Sequence, residues 1–177
     1  MSMTVLETLA TEQGEFTLGL ARNEHADIML SMLIETAEVM EQQGLKQWKP
    51  SIFSIELMQQ YLAERKVFLL MAEHEAVGMF TLQAGDPAYW GERDDASFGY
   101  LHRLTVRPKY RGLNLGTKML YFAESYLRGE GMTGFRLDCV SHLPSLNAFY
   151  TRQGFEFVAE QDMGGRFVNL YQKVFSA

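Results

Sequence analysis

The sequence predicts a mixed-sheet α/β or α+β fold in one domain spanning residues 1–177, and three observations lead there. The length, 177 residues, is that of one ordinary domain. Hydrophobic residues make up 47% of the chain and charged residues 21%, enough apolar surface to offset the ordering entropy that keeps polar chains disordered. Stretches of strand-like and helix-like spacing alternate, with paired strands expected at both ends.

In chain order, Glu15 to Ala21 alternates well enough for a first strand. From Glu24 to about Gln43 apolar residues recur at helical spacing (Ile28, Met32, Val39), and Gly44 supplies a stop. Ser51 or Ser54 caps a second helix running through Leu57 and Tyr61 to Glu64. Lys66 to Glu73 and Ala76 to Gln83 read as a hairpin about His74-Glu75. Gly85 to Ser97 is a polar loop carrying Asp86, Glu92, Asp94 and Asp95. Phe98 to Val106 is a strand stopped by Pro108, which has no amide to continue a ladder. Gly116 to Arg128 is a helix with Met119, Leu120, Ala123 and Leu127 on one side, ended by Gly129 and Gly131. Phe135 to Val140, a short helix Ser145 to Gln153, and strands Phe155 to Ala159 and Arg166 to Phe175 complete the chain.

The formal net charge of −6 argues against broad binding to nucleic acid. Cys139, the single cysteine, excludes an internal disulfide and fits a reducing compartment. Met1 to Gly14 lacks the basic start and apolar run of a secretory signal, and no apolar stretch approaches the roughly 18 residues a membrane span needs. A cytoplasmic protein without membrane contact is the expectation. His25, His74, His102 and His142 show no metal-ligand spacing, so no metal is expected.

The most informative stretch is Leu104 to Lys118, where a strand passes through a short loop into a helix. Glycines there let backbone approach a ligand, and the unpaired amides of a helix start favour an anion such as a pyrophosphate. Between His102 and Lys118 lie Arg103, Arg107, Lys109, Arg111 and Lys118 with no Asp or Glu, a basic island in an acidic chain. The spacing matches neither G-x-x-x-x-G-K-[ST] nor G-x-G-x-x-G, which argues against nucleoside triphosphate and nicotinamide cofactors.

Arg111-Gly112-Leu113-Asn114-Leu115-Gly116, following Leu104-Thr105-Val106 and Pro108-Lys109-Tyr110, resembles the R/Q-x-x-G-x-G/A loop of the GNAT superfamily of acetyl-CoA-dependent N-acetyltransferases. Asn114 stands where the first family glycine usually does, and asparagine is the non-glycine residue that best tolerates positive φ. About thirty residues on, Asn147-Ala148-Phe149-Tyr150 through Gly154-Phe155 is similar to the family's second motif.

The resemblance implies a mostly antiparallel central sheet flanked by helices, and acetyl-CoA as co-substrate. It implies that Leu104, Thr105 and Val106 offer backbone to the pantetheine arm. Arg111, Gly112, Leu113, Asn114, Leu115, Gly116 and Thr117 would hold the pyrophosphate, and Asn147 would contact the pantetheine or its phosphates. Tyr150 is the family-matched general acid, protonated at neutral pH; the alternative is a core aromatic beside Phe149 and Phe155.

No carboxylate stands on the strand before the loop, where many members carry their base. His102 is the residue there that titrates near neutrality. A water chain to Glu35 or to the Asp86–Asp95 loop competes with it, and so does a structural role for the histidine. Cys139 reads as buried and inert. Trp48 and Tyr89-Trp90 either wall an acceptor pocket or anchor loops. The expected function is acetyl transfer to a primary amine: a small cationic amine, an amino-acid derivative or a peptide N-terminus. The alternative is a non-catalytic acyl-CoA sensor, and the resemblance leaves a homodimer open.

Overall fold

A computed structural model describes residues 3–176; Met1, Ser2 and Ala177, which the one-domain expectation includes, lie outside the described residues. Among the described residues, eight strands form one sheet in the order β1-β2-β3-β4-β5-β6-β8-β7, flanked by five helices. The strands are β1 Thr4–Thr11, β2 Gly14–Leu20, β3 Lys66–Ala72, β4 Glu75–Ala84, β5 Phe98–Val106, β6 Gly134–Val140, β7 Glu156–Asp162 and β8 Phe167–Val174. The helices are α1 Ala26–Gln42, α2 Ile55–Glu64, α3 Pro87–Trp90, α4 Leu115–Gly129 and α5 Pro144–Arg152. β1-β2, β2-β3, β6-β8 and β7-β8 pair antiparallel, and β5-β6 pair parallel.

The chain divides into two compact units, one comprising residues through Thr81 with Arg103–Lys118, the other Leu82–His102 with Met119 onward. In the first unit, β1 is a strand that the sequence pattern does not reveal. Its side chains are nearly all exposed, and it forms because a tight turn returns it onto β2 from Thr11↔Gly14 to Thr4↔Leu20. The turn is held by the Thr11 hydroxyl, which donates to the Gly14 carbonyl (2.8 Å) and accepts from the Gln13 amide (3.1 Å).

α1 buries Met29, Met32, Leu33, Thr36 and Ala37, the i, i+3, i+4, i+7 stripe of an amphipathic helix. Fully burying each of the larger apolar side chains contributes about 1.5–3 kcal/mol. Its entry is fixed by His25, whose Nδ1 accepts from the Arg22 amide at 2.7 Å. Ser54 caps α2, its hydroxyl accepting from the Leu57 amide at 3.1 Å. These helices share a core with Val67 and Leu69 of β3 and Met79 of β4. Trp48, 8% exposed, joins that core edge-on to Phe53, so this tryptophan anchors its loop.

In the second unit, the polar stretch after Gly85 is not irregular: it holds α3 and a 3-10 turn over Gly91–Arg93. Trp90 of α3 is buried and packs edge-on against Tyr100 of β5, in a cluster with Phe98, Val140, Val168 and Leu170. The Arg136 guanidinium lies 3.9 Å from the Phe98 ring centroid and 4.3 Å from that of Trp90, and donates to the Tyr100 hydroxyl (2.8 Å) and the Arg93 carbonyl (2.7 Å). Gly99 is required by close packing: a Cβ there would run into the Leu127 side chain of α4.

Candidate active site

The segment joining β5 to α4 is built from backbone features first. After a 3-10 turn at Pro108–Tyr110, Gly112 takes φ +86° and Asn114 φ +62°, so two left-handed residues bracket Leu113. Most side chains disfavour that region, glycine does not, and asparagine tolerates it. The expected tolerance of Asn114 for the glycine conformation is what the backbone adopts. The Asn114 carbonyl accepts from the Lys118 amide (3.2 Å), opening the ladder of α4. The leading amides at Leu115, Gly116 and Thr117 are therefore those a helix start leaves without an intrahelical acceptor. Leu115 and Thr117 are buried by their side chains, fixing the helix start in place.

The basic residues of this segment divide into two groups. Arg103, itself at φ +57° within β5, donates Nε to the Tyr61 hydroxyl (3.0 Å) and lies over Trp48 and Phe53. Arg107 donates to the Ala76 carbonyl (2.6 Å) and to the Glu35 carboxylate. Lys109 pairs with Glu75 at 2.8 Å, and the Tyr110 hydroxyl donates to the same carboxylate at 2.7 Å. Lys109 and then Tyr110 hold the Glu75 carboxyl below its usual range, while Glu75 pushes both of them up. Arg111 and Lys118, by contrast, make no ion pair or side-chain hydrogen bond among the described residues. An open cavity of about 560 Å³ is lined by Gly112, Leu113, Asn114 and Lys118 with Ala10, Thr11 and Glu12 of the β1–β2 turn. Left-handed backbone, a helix start and two uncommitted cations fit an anionic group. Upstream, Thr105 is buried with its hydroxyl hydrogen-bonded to that of Thr36, and Leu104 and Val106 are half-buried.

Tyr150, on α5, is 7% exposed, with its ring against Phe149, Phe155 and Tyr171. Burial, then the neighbouring Cys139 and Asp138, push its hydroxyl well above the usual tyrosine value, so it stays protonated. Burial and then Asp138 push the Cys139 thiol up to about 12, which makes it the inert cysteine the sequence suggested.

Asn147 has a different place from the expected ligand contact. Its Nδ2 donates to the carbonyls of Val140 (3.0 Å) and Leu143 (2.8 Å). Its Oδ1 accepts from Cys139 Sγ (3.3 Å), Asn169 Nδ2 (2.8 Å) and the Tyr171 hydroxyl (2.7 Å). With both ends of the amide engaged by protein, Asn147 ties the start of α5 to β6 and β8.

His102 Nε2 donates to Asp86 Oδ2 at 2.8 Å, and the Tyr89 ring centroid lies 5.6 Å from the imidazole. Asp86 is 4% exposed, and its amide donates to the Asp94 carboxylate. Asp95 is likewise used locally: it accepts from the Ser97 amide (2.9 Å) and hydroxyl (2.7 Å), which hold its carboxyl below the usual range. The acidic loop, expected to favour a cationic acceptor, thus commits three of its carboxylates to its own shape and to His102. Asp86, His102 and Asp138 offer ligand atoms within 4.8 Å of one another, the group among the described residues that could hold a cation. Histidine spacing could not show it, because the three residues come from separate elements.

A mixed sheet whose β5 passes through a left-handed loop into α4 is the fold of a class of CoA-dependent transferases. The acetyltransferase (GNAT) family model matches residues 33–155, and the chain belongs to that family. It is an acetyl-CoA-dependent acyltransferase. It is 28% identical over 160 residues to the uncharacterized N-acetyltransferase YesJ of Bacillus subtilis (strain 168), covering 87% of each chain. A GNAT-family acetyltransferase structure from Listeria monocytogenes 4b F2365 superposes with a TM-score of 0.80 at 26% identity, covering 96% of this chain and 100% of that one. An acetyltransferase from Thermus thermophilus shares the fold at TM-score 0.69 and 21% identity, covering 98% of this chain and 100% of the other. No helix among the described residues is long and apolar enough to cross a membrane.

Proposed function

We propose that the whole chain works as one N-acetyltransferase domain that moves the acetyl group of acetyl-CoA directly onto a primary amine. The observation that carries this reading is the Arg111–Thr117 segment, with its left-handed Gly112 and Asn114, its helix start, and the two uncommitted cations Arg111 and Lys118. Arg111, Lys118 and the amides from Gly112 to Thr117 hold the pyrophosphate, and the backbone of Leu104–Val106 supports the pantetheine arm.

The amine must reach the thioester as a free base. Its nitrogen forms the new N–C bond at the carbonyl, its proton passes to His102, and the C–S bond breaks as the tetrahedral centre collapses. The departing sulfur takes a proton from the Tyr150 hydroxyl, which solvent then restores. The upward shift of Tyr150 makes complete transfer uphill ahead of bond breaking, so the proton moves as negative charge builds on sulfur. Asn147 acts through position, holding α5 and with it Tyr150. In this reading the acceptor is a small cationic amine, an amino-acid derivative or a peptide N-terminus.

Thiol release from acetyl-CoA against polyamines, amino-acid amides and short peptides tests this. Turnover with one acceptor class is expected, falling about 100-fold or more in Tyr150→Phe and in His102→Gln. Full activity in both variants, or release that no amine accelerates, would contradict it.

A further inference from the structure

We propose that Arg103 selects the acceptor: its terminal nitrogens, Nη1 and Nη2, take a carboxylate carried by the amine substrate. This inference rests on the acetyl-transfer reading above. It narrows the acceptor to an amino acid or another small amine that bears a free carboxylate.

Arg103 takes φ +57° within β5. Glycine adopts that region freely and arginine rarely does, so the strand holds strain here that a residue without a Cβ would avoid. Strain of this kind collects where a site needs one particular side chain aimed one particular way. The Arg103 Nε–H donates to the Tyr61 hydroxyl at 3.0 Å, and Cζ lies 5.3 Å from the Trp48 ring centroid and 5.0 Å from that of Phe53. Trp48, Phe53 and Tyr61 are buried, and all three belong with Arg103 to the first unit.

These contacts fix the guanidinium in place without neutralising it. Arg107 and Lys109, a few residues on, have Glu35 and Glu75 as carboxylate partners. Arg103 has none among the described residues, and its Nη1 and Nη2 donate to no group there. A half-buried guanidinium with its outer fork open suits a planar anion, because two parallel N–H bonds match the two oxygens of a carboxylate.

Acetyl-CoA does not supply that anion, since its pyrophosphate goes to the Arg111–Thr117 segment and the pantetheine arm is uncharged. The acceptor does. Leu104 follows Arg103 directly, so a carboxylate on Arg103 brings the acceptor to the stretch of β5 that supports the arm. Pairing the carboxylate with a guanidinium also weakens its hold on the ammonium of the same molecule, which favours the free base that attack requires. Arg103 takes no part in bond making: the N–C bond forms and the C–S bond breaks as described above.

The test compares thiol release from acetyl-CoA with free amino acids, their carboxamides and polyamines, in wild type and in Arg103→Met, which keeps a long apolar stem against the rings. In wild type, kcat/KM for the best free amino acid should exceed that for its carboxamide at least about tenfold, the worth of a charge-assisted contact. In Arg103→Met that ratio should fall to about one, through the acceptor KM. Wild type that uses carboxamides or polyamines as well as free amino acids overturns the proposal without any variant, and so does an Arg103→Met that keeps the preference. Binding is read separately by ¹⁵N NMR of the arginine Nε–H groups in the CoA-loaded protein, Arg103 being assigned by its loss in Arg103→Met. Its signal should shift saturably with a free amino acid and not with the carboxamide; no shift with any free amino acid overturns the proposal. A shift without amine-accelerated thiol release would instead overturn the acetyl-transfer reading and leave the carboxylate site standing.

Discussion

The acidic segment 85–97 and the basic segment 103–118 look alike in the sequence: each is a short, strongly charged stretch beside a strand. The structure uses their charges differently. In the acidic segment Asp94 and Asp95 shape the backbone, and Asp86 is committed to His102. In the basic segment Arg103, Arg107 and Lys109 are absorbed by the fold, and Arg111 and Lys118 remain. Local charge density therefore counts the ions a segment contains, whereas binding depends on those the fold has not already paired. The helix start beside Arg111 and Lys118 adds leading amides that have no intrahelical acceptor.

Substitutions at three positions can break or sharpen this contrast. The largest effect is expected at Asn114, where a β-branched side chain at φ +62° costs about 1–2 kcal/mol. Asn114→Val should weaken CoA binding about tenfold by calorimetric titration, while Asn114→Gly should stay within about threefold of wild type; equal affinities for the two variants would mean that the left-handed backbone is irrelevant to binding. Next, Asp94→Ala removes the acceptor of the Asp86 amide and should cost about 1 kcal/mol in urea unfolding. The acceptor KM should stay unchanged, because the charge of Asp94 serves the loop; a several-fold rise in KM would show that it serves the amine.

The smallest effect is pH-dependent and concerns Glu75, the partner that removes Lys109 from the available cations. Its folded-state pKa is depressed, so the stabilisation it brings is complete above the unfolded value of about 4.5 and is lost as pH falls through the lower folded value. The difference in Tm between wild type and Glu75→Gln should accordingly shrink as pH drops below about 4.5. A difference that stays constant with pH would leave Lys109 unpaired in solution.

Much of the fold was legible because its elements obey period and punctuation. The strand Phe98–Val106 was bounded by Pro108, α2 by a cap at Ser51 or Ser54, of which the structure uses Ser54, and α1 by its apolar stripe and Gly44. β1 was not, since Val5 and Leu6 are exposed and the strand owes its existence to the Thr11–Gly14 turn and to pairing, not to a buried face. α3 hid in a loop because four residues are too few for a helical period. The left-handed loop ahead of α4 was legible through glycine spacing, including the asparagine substitute. The His102–Asp86 pair was half legible: the histidine stood out on a strand that carries no carboxylate, but its partner lies sixteen residues away and is brought there by a turn at Gly85. Asn147 looked like a ligand contact because its motif marks the position and cannot tell that five protein groups already satisfy its amide.

The central claim, that the cations left over by the fold are the ones that hold acetyl-CoA, is tested most directly by titrating CoA into four proteins: wild type, Arg111→Ala, Lys118→Ala and Lys109→Ala. Loss of a charge-assisted contact costs about 1.5–3 kcal/mol, so the Arg111 and Lys118 variants should each bind at least about tenfold more weakly. Lys109→Ala should bind like wild type. Equal weakening by all three, or by Lys109→Ala alone, would contradict the account and return the segment to a diffuse basic patch.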